Sequence, residues 1–255
     1  MVTVTTNIGL DDDATGLQTS SVGEPSVAAS TSTVFMTGNW YASRSGDRGA
    51  TWGVIDPFTE FPTDRGRFCC DQLVIYLPRQ RLWAWLLQYE QQGTSNIFRL
   101  AVSRTGASGS WRWWDIAPTD LNPSWTDVWF DYPDMAVSQG HLWVSFNQYD
   151  RNDTWRRAGI VRWPLAELAS ARPVTRRHWV TTSLGSLRLV QGAGTSMWFA
   201  GNIAASRSLH LFQWPDASDA VTKWQVKVGP WNDTDYTSST PGGGQWLSRL
   251  DDRIT

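Results

Sequence analysis

Four segments of this chain repeat one pattern, and an internal repeat constrains the possible fold more than any other feature of a sequence. Each unit has a turn with an acidic or polar residue, an apolar strand, a tight turn and a second strand rich in aromatic residues. Two further strand-like runs follow in each unit. The first two strands of the units are predicted at residues 26–30 and 34–38, 73–77 and 82–89, 135–138 and 142–149, and 186–190 and 197–202.

These units predict an all-β fold built from four-stranded blades. Their spacing of roughly 45 to 65 residues is close to the ~40–50 residues of known propeller repeats. β-branched and aromatic residues dominate the predicted strands, and helical periodicity is nearly absent apart from a short helix predicted within residues 165–171. We therefore expect a single β-propeller domain over residues 1–255.

Residues 45–52 read Ser-Gly-Asp-Arg-Gly-Ala-Thr-Trp, a pattern that predicts a tight turn between two strands. Asp47 can accept backbone N–H groups, Gly49 allows a positive φ, and Trp52 begins the next strand with a large apolar side chain. The pattern S-x-D-x-G-x-T-W resembles the Asp-box, or BNR repeat, of sialidase-like β-propellers. The resemblance implies a structural turn on the face opposite the active site.

The end of the chain indicates the N-terminal part of a larger propeller. Residues 248–255 align with residues 183–190, and this alignment places Arg253 at the position of Arg188. The last residues then begin the inner strand of another blade, whose unpaired edge would be prone to aggregation. We expect about four blades plus the start of a fifth in this chain, a complete propeller of six blades, and a second polypeptide that completes it.

Loops that lead into the inner strand of each blade, and loops between the second and third strands, lie on one face beside the axis of a propeller. In this chain they carry carboxylates, arginines and aromatic side chains, which we expect to converge on one pocket. The alternative is that the acidic residues cap turns or solvate a rim. Candidate catalytic residues are Asp71, Asp134, Tyr132 and Asp131, and candidate substrate-binding residues are Glu24, Trp40, Tyr41, Arg188, Asp251 and Arg253.

Paired carboxylates can divide acid and base chemistry, because repulsion and burial move their pKa values apart. We expect Asp71 or Asp134 to act as general acid or base, Glu24 and Asp251 to set the local field, and the two arginines to bind an anionic group. The resemblance to sialidases implies that Tyr132 acts as nucleophile or acid. The chain has no Arg-Ile-Pro motif of that family and no third matching arginine, so sialidase activity itself is not expected.

The sequence therefore predicts a glycan-active hydrolase or lyase, with a non-catalytic propeller that recognises a glycan or a protein as the alternative. Lys and Arg number 22 against 24 Asp and Glu, without a basic stripe, so a nucleic-acid partner is not expected. An apolar run of 18 residues is missing, so no membrane span is expected. The 18 Trp fit either packing between blades or stacking on sugars.

The only cysteines are the neighbours Cys69 and Cys70. Adjacent cysteines rarely bridge each other, since the bond closes a strained ring, and we expect a buried structural pair. The alternatives are a nucleophilic thiol, or a thiolate that holds a soft metal together with Asp71. Otherwise no cofactor is predicted. No signal peptide opens the chain, which fits a cytoplasmic protein or a mature secreted one, and we favour the secreted protein.

Overall fold

A computed structural model describes residues 24–170, 173–203, 207–229 and 243 of this protein. The described residues form four antiparallel sheets of four strands each, and neighbouring strands in each sheet follow one another in the chain. The innermost strands of successive sheets lie side by side around one axis. This arrangement is an all-β propeller, as the repeats predict.

The strands are short, and each blade is a meander of four. Blade 1 contains β1 (Ser26–Ala29), β2 (Val34–Thr37), β3 (Ala42–Ser45) and β4 (Gly53–Ile55). Blade 2 contains β5 (Phe68–Leu77), β6 (Leu82–Tyr89), β7 (Phe98–Ser103) and β8 (Arg112–Ile116). Blade 3 contains β9 (Val128–Val137), β10 (His141–Asp150), β11 (Trp155–Pro164) and β12 (Arg177–Thr181). Blade 4 contains β13 (Arg188–Leu189), β14 (Ser196–Asn202), β15 (Ser208–Pro215) and β16 (Thr222–Lys227).

Two short helices lie between strands in the described part of the chain. The helix predicted within residues 165–171 is α2 (Leu165–Leu168), which connects β11 and β12. The other, α1 (Pro118–Leu121), was not predicted from the sequence and lies between blades 2 and 3. Proline is favoured in the first turn of a helix, and the Asp120 carboxylate accepts the backbone N–H of Ala117 at 2.8 Å, so this turn is capped locally.

Blades 2 and 3 are covered on both faces, and this explains their nearly continuous apolar strands. Every residue of β6 is buried. Trp83, Trp85 and Leu87 belong to the apolar cluster shared with blade 1. Leu82, Ala84 and Leu86 point the other way, into the cluster shared with blade 3. A third cluster joins blades 3 and 4, where the rings of Trp143 and Trp214 lie 5.2 Å apart.

Blades 1 and 4 each have one face that no described residue covers. Val27 and Val54 are 64% and 40% exposed on blade 1. On blade 4, Trp198 and Trp224 are 39% and 41% exposed, with their rings stacked 5.4 Å apart. Because side chains alternate along a strand, these residues point away from the neighbouring blade. The aromatic residues of this chain thus serve mainly as packing between blades, with a stacked pair on an outer face.

The turn at residues 45–52 has the geometry expected from its sequence. Asp47 Oδ1 accepts the N–H of Thr51 at 2.8 Å, and Ser45 Oγ accepts the N–H of Gly49 at 2.7 Å. Gly49 has a φ of 92°. The turn joins β3 to β4, and the Arg48 N–H donates to Ser32 O in the β1–β2 turn at 2.9 Å. It therefore lies at the end of blade 1 opposite the loop that leads into β1.

No described helix is long and apolar enough to span a membrane.

Candidate functional site

A cavity of about 190 Å³ opens at the axial face, where the loops that lead into the inner strands meet. Each of the four blades contributes one charged or hydroxyl-bearing side chain to its lining, namely Glu24, Asp71, Tyr132 and Arg188. The volume lies below the roughly 300–1,000 Å³ of sites for drug-sized ligands, so the cavity suits one small polar unit. The tertiary structure therefore brings together four of the residues predicted from the sequence.

Asp71 and Glu24 form a pair of carboxyl groups at one side of this cavity. Asn39 Nδ2 donates to Glu24 Oε2 at 3.0 Å and to Asp71 Oδ1 at 3.5 Å. Burial, the negative charges of Glu24 and Asp131, and a hydrogen bond to Glu24 together raise the pKa of Asp71 to about 7, with burial the largest cause. At neutral pH the Asp71 carboxyl thus holds a proton for a large part of the time and can donate it.

Tyr132 and Arg188 form the opposite part of the lining. Arg188 Nη2 donates to the Tyr132 hydroxyl oxygen at 2.6 Å, and the guanidinium carbon lies 4.5 Å from the centre of the phenol ring. Among the described residues no other hydrogen bond to this guanidinium is found. Tyr132 has a φ of 56°, a left-handed conformation that side chains rarely adopt outside functional or tightly constrained sites.

Amide side chains that the sequence analysis did not select support the carboxylates. Gln88 Nε2 donates to Asp131 Oδ1 at 3.0 Å, just as Asn39 donates to Asp71 and Glu24. Asn147 occupies the corresponding end of β10 and exchanges hydrogen bonds with Ser186 at the loop that leads into β13. Each amide therefore reaches from the second strand of one blade to the inner loop of the next. The sequence signal for these amides is an Asn or Gln that recurs at the end of the second strand of successive blades.

Asp134 is not part of the cavity lining. Its two oxygens accept the backbone N–H groups of Met135 at 2.8 Å and of Leu189 at 2.9 Å. Leu189 belongs to blade 4, so this carboxylate joins the inner strands of blades 3 and 4. This bonding gives Asp134 a structural role between the blades, and the acid or base role expected from the sequence stays a prediction.

Trp40 and Tyr41 also lie outside the cavity lining. Trp40 is half-buried against the cluster between blades 1 and 2. Tyr41 is 6% exposed, and its ring packs on Gly38 so closely that a side chain at that glycine would clash. Its carbonyl accepts a hydrogen bond from Gln72 Nε2 at 2.9 Å. These contacts show that both residues pack between elements, and the substrate-binding role expected from the sequence stays a prediction.

Cys69 and Cys70 are joined to each other by a disulfide, which corrects the expectation of an unbridged pair. The ring can form because β5 is irregular at this point: Phe68 pairs with Tyr89 and Gln72 with Leu87, leaving residues 69–71 opposite Gln88 alone. A disulfide provides neither a nucleophilic thiol nor a thiolate ligand. The option of a soft metal held by these sulfurs and Asp71 is therefore wrong for the oxidised protein.

Asp251 and Arg253 lie outside the described residues, as does the predicted start of a fifth blade. Across residues 24–170, 173–203 and 207–229, no group of three or more His, Cys, Asp or Glu side chains is arranged to hold a metal ion.

A larger cavity, of about 760 Å³, lies at the outer edge of the propeller. Its charged groups pair with one another, since Arg176 Nη2 lies 3.9 Å from Asp120 Oδ1 and Arg177 Nε lies 3.6 Å from Asp219 Oδ2. Exposed ion pairs of this kind contribute little to stability. His178 also lines this cavity, where its ring lies 5.9 Å from that of Trp125 and burial lowers its pKa. The smaller axial cavity brings together carboxyl groups, a phenol and an arginine, and is the better candidate.

No protein-family model and no curated protein matches this sequence. Among solved structures, the chain is similar to a GH43 endo-arabinanase from Bacillus licheniformis, with 11% identity, a TM-score of 0.45, and coverage of 92% of this chain and 80% of that one. It is also similar to the catalytic domain of a GH62 α-L-arabinofuranosidase from Coprinopsis cinerea, with 13% identity, a TM-score of 0.38, and coverage of 83% and 67%. Similarities at these scores carry no argument about the activity of this chain. Neither structure is described as a sialidase.

Proposed function

We propose that this protein is a carbohydrate-active enzyme, a glycoside hydrolase or a lyase, that acts on a glycan at the axial cavity. The observation that carries the proposal is the Asp71 carboxyl, which lies at the axial cavity beside the Glu24 carboxylate and has a pKa raised to about 7. Hydrolysis of a glycosidic bond needs a carboxylic acid to protonate the leaving oxygen and a second group to provide or activate the nucleophile. Separated pKa values are how one site supplies both groups.

Asp71 is the proposed general acid. Glu24 is hydrogen-bonded to Asp71 and is too near to stand on the other side of a scissile bond, because the two working carboxyl groups of glycosidases lie about 5–9.5 Å apart. Glu24 instead keeps Asp71 protonated through its charge. The second catalytic group is then Asp131, oriented by Gln88, or Tyr132, whose hydroxyl lies against Arg188.

Arg188 is the residue that we propose binds an anionic group of the substrate, such as the carboxylate of an acidic sugar. Guanidinium N–H groups that do not bond the Tyr132 hydroxyl can donate to a carboxylate oxygen. If the substrate is a uronic acid, the same arginine would neutralise the carboxylate while a base removes the neighbouring C–H proton, and the reaction would be an elimination. The two reactions have different products. Hydrolysis adds water and gives a reducing end and a saturated non-reducing end, whereas elimination gives a reducing end and an unsaturated non-reducing end whose conjugated double bond absorbs ultraviolet light.

The test is a screen of neutral and acidic oligosaccharides with the unchanged protein, followed by Asp71→Asn and Arg188→Gln on any substrate found. Asp71→Asn is nearly isosteric and removes the proton donor, so we expect kcat to fall by about 10²–10⁴-fold. Arg188→Gln should raise KM for acidic substrates and leave neutral ones nearly unaffected. The matched control is Asp127→Asn, an exposed aspartate away from the cavity lining. Full activity of Asp71→Asn would remove the catalytic assignment.

The alternative is a recognition propeller that holds a glycan or a protein without turnover. The ordered amides Asn39 and Gln88 favour it, because fixed donors and carboxylates also suit the recognition of sugar hydroxyls. In that case Asp71→Asn would change ligand affinity by roughly ten-fold, about 1.4 kcal/mol, and no substrate would be consumed.

Membership of the sialidase-like superfamily stays a proposal, and the turn at residues 45–52 supports it. We also propose that a second polypeptide adds further blades to this one. The large apolar side chains exposed on blades 1 and 4 support that proposal, since exposed apolar patches are typical of interaction sites.

A further inference from the structure

The Cys69–Cys70 disulfide lies in an irregular stretch of β5 whose two ends are held by packing. At the upstream end, Phe68 is buried with its ring 5.1 Å from that of Phe58. At the downstream end, Gln72 is buried, and its Oε1 accepts the indole N–H of Trp85 at 2.9 Å. Local freedom is therefore confined to residues 69–71.

A covalent ring joins the first two of these three residues. The third is Asp71, so the direction of its carboxyl depends on the backbone that the ring constrains. The irregularity removes the regular ladder pairing that would otherwise orient this segment. The disulfide thus takes the place of strand pairing immediately before the candidate acid.

Blade 3 has a comparable irregularity at the same level of the propeller. Residues 132–133 are opposite Phe146 alone, between the Asp131–Asn147 and Asp134–Ser145 pairs. This segment contains Pro133, whose ring fixes φ. Both blades therefore restrain the inner strand beside the cavity with a small ring, one of proline and one of sulfur.

We propose that the Cys69–Cys70 disulfide is a positioning element that holds the Asp71 carboxyl against Glu24, and that reduction of the disulfide releases it. In the reduction a dithiol supplies two electrons and two protons, the S–S bond breaks, two protein thiols form, and the dithiol becomes a cyclic disulfide. The catalytic consequence rests on the proposed function, whereas the geometric claim does not.

The groups that face Asp71 determine what its release would change. Glu24 precedes β1, Asp131 and Tyr132 belong to β9, and Arg188 begins β13. Burial and the two neighbouring carboxylates raise the pKa of Asp71. A carboxyl that moves away from Glu24 toward solvent loses part of each effect, so its titration midpoint should fall.

The experiment follows the side-chain carboxyl carbons of ¹³C-labelled aspartate by NMR from pH 3 to 9, with the Asp71 signal assigned by its absence in Asp71→Asn. In the oxidised protein we expect the Asp71 signal to titrate with a midpoint that matches its pKa of about 7. Treatment with a dithiol should lower the midpoint by one pH unit or more. Cys69→Ser and Cys70→Ser should each give the same lowered midpoint as the double variant, because loss of either sulfur breaks the bond.

Tryptophan fluorescence at each pH verifies that the propeller is folded, and a thiol assay of the denatured protein should count no thiols before reduction and two after it. A midpoint that is unchanged in the reduced, folded protein would overturn the proposal, and so would two thiols in the untreated protein. The outcomes separate the two proposals. A midpoint that responds to reduction without any glycan turnover leaves the positioning role standing, and turnover that needs Asp71 but ignores the disulfide leaves only the proposed function.

Discussion

At the scale of single residues, Asp71 differs from most aspartates because the folded protein stabilises its protonated form and not its charged form. Most folded-state carboxylates are stabilised in the charged form, whereas burial and Glu24 stabilise the protonated form of Asp71 and raise its pKa to about 7. Between the unfolded pKa near 3.9 and the folded value, the folded state binds a proton that the unfolded state releases. The stability of the propeller should therefore decrease as the pH rises through this window, as is expected when a group is arranged for chemistry at the expense of stability.

Asp71→Asn should consequently stabilise the protein at pH 8, by about 1–3 kcal/mol, because the amide cannot acquire the unfavourable charge and one pKa unit corresponds to 1.36 kcal/mol. At pH 4 the two proteins should have nearly equal stability. Urea denaturation at pH 4, 6 and 8 measures the difference in stability. Asp134→Asn is the contrasting variant. The Asp134 carboxylate accepts two backbone N–H groups, so loss of this carboxylate should destabilise the protein by about 1–3 kcal/mol. Equal stability of Asp71→Asn and wild type at pH 8 would contradict the buried, proton-holding carboxyl.

At the scale of elements, the turn at residues 45–52 is held by its own side chains and not by contacts with the site. Hydrogen bonds from the hydroxyl and the N–H of Thr51 and from the hydroxyl of Ser45 lower the pKa of Asp47 to about 2. A depressed pKa means that the turn gains stability from the charged carboxylate above the unfolded pKa. That contribution is lost as the pH falls through the folded value of about 2.

Asp47→Ala should lower the melting temperature at pH 7, and the difference from wild type should shrink toward pH 2. Calorimetry at the two pH values measures it, with Asp127→Ala as a control for an exposed aspartate. Ligand affinity should not change, since the turn lies at the end of the blade opposite the cavity. A variant that loses affinity while keeping its melting temperature would show that this turn has been assigned to the wrong face.

Gln72 connects blades 1 and 2 directly beneath the candidate site. Its amide donates to Tyr41 O and accepts from Trp85, both at 2.9 Å, in a buried environment. Gln72→Met keeps the volume but leaves the indole N–H of Trp85 unpaired, whereas Tyr41 O keeps the N–H of Gly38 at 3.1 Å. The loss should cost about 1–3 kcal/mol. Gln80→Met, in the β5–β6 turn, is the matched control. A cost below 0.5 kcal/mol in urea denaturation, on the order of an ordinary surface change, would mean that this amide does not join the blades.

At the scale of the whole molecule, the blades are stabilised mainly by what lies between them. Every pair of successive described blades shares an apolar cluster. The two outer faces lack such a partner among the described residues, and the stacked Trp198–Trp224 pair is the most prominent group on them. Burial of apolar surface of this kind is worth roughly 25 cal/mol per Å², so a covering blade would be held strongly.

Native mass spectrometry of the protein from its natural source should therefore find this chain together with a second polypeptide of roughly one to three blades, at ~50 residues each. Replacing Trp198 and Trp224 with Ser should weaken this association, whereas the same change at Trp113, an exposed Trp of blade 2, should not. A stable monomer with the mass of this chain alone would contradict the second polypeptide. A dimer of identical chains would assign the outer faces to self-association.

The repeats by themselves determined the blades, because period-two apolar patterns and turn residues are local signals that each strand carries along its own length. They also placed Glu24, Asp71, Tyr132 and Arg188 at equivalent positions, and a propeller brings equivalent positions to one face.

Only the tertiary structure decided what each group does there. Asp134 is held by the N–H groups of residues 135 and 189, Tyr41 is packed on Gly38, and Asn39 and Gln88 hold the carboxylates. The contacts of Asp134, Asn39 and Gln88 join residues of different blades about 30 to 55 positions apart, and no local pattern encodes the partner across such a distance. The Cys69–Cys70 ring likewise depends on an irregular pairing with β6, which two adjacent cysteines in a sequence do not reveal.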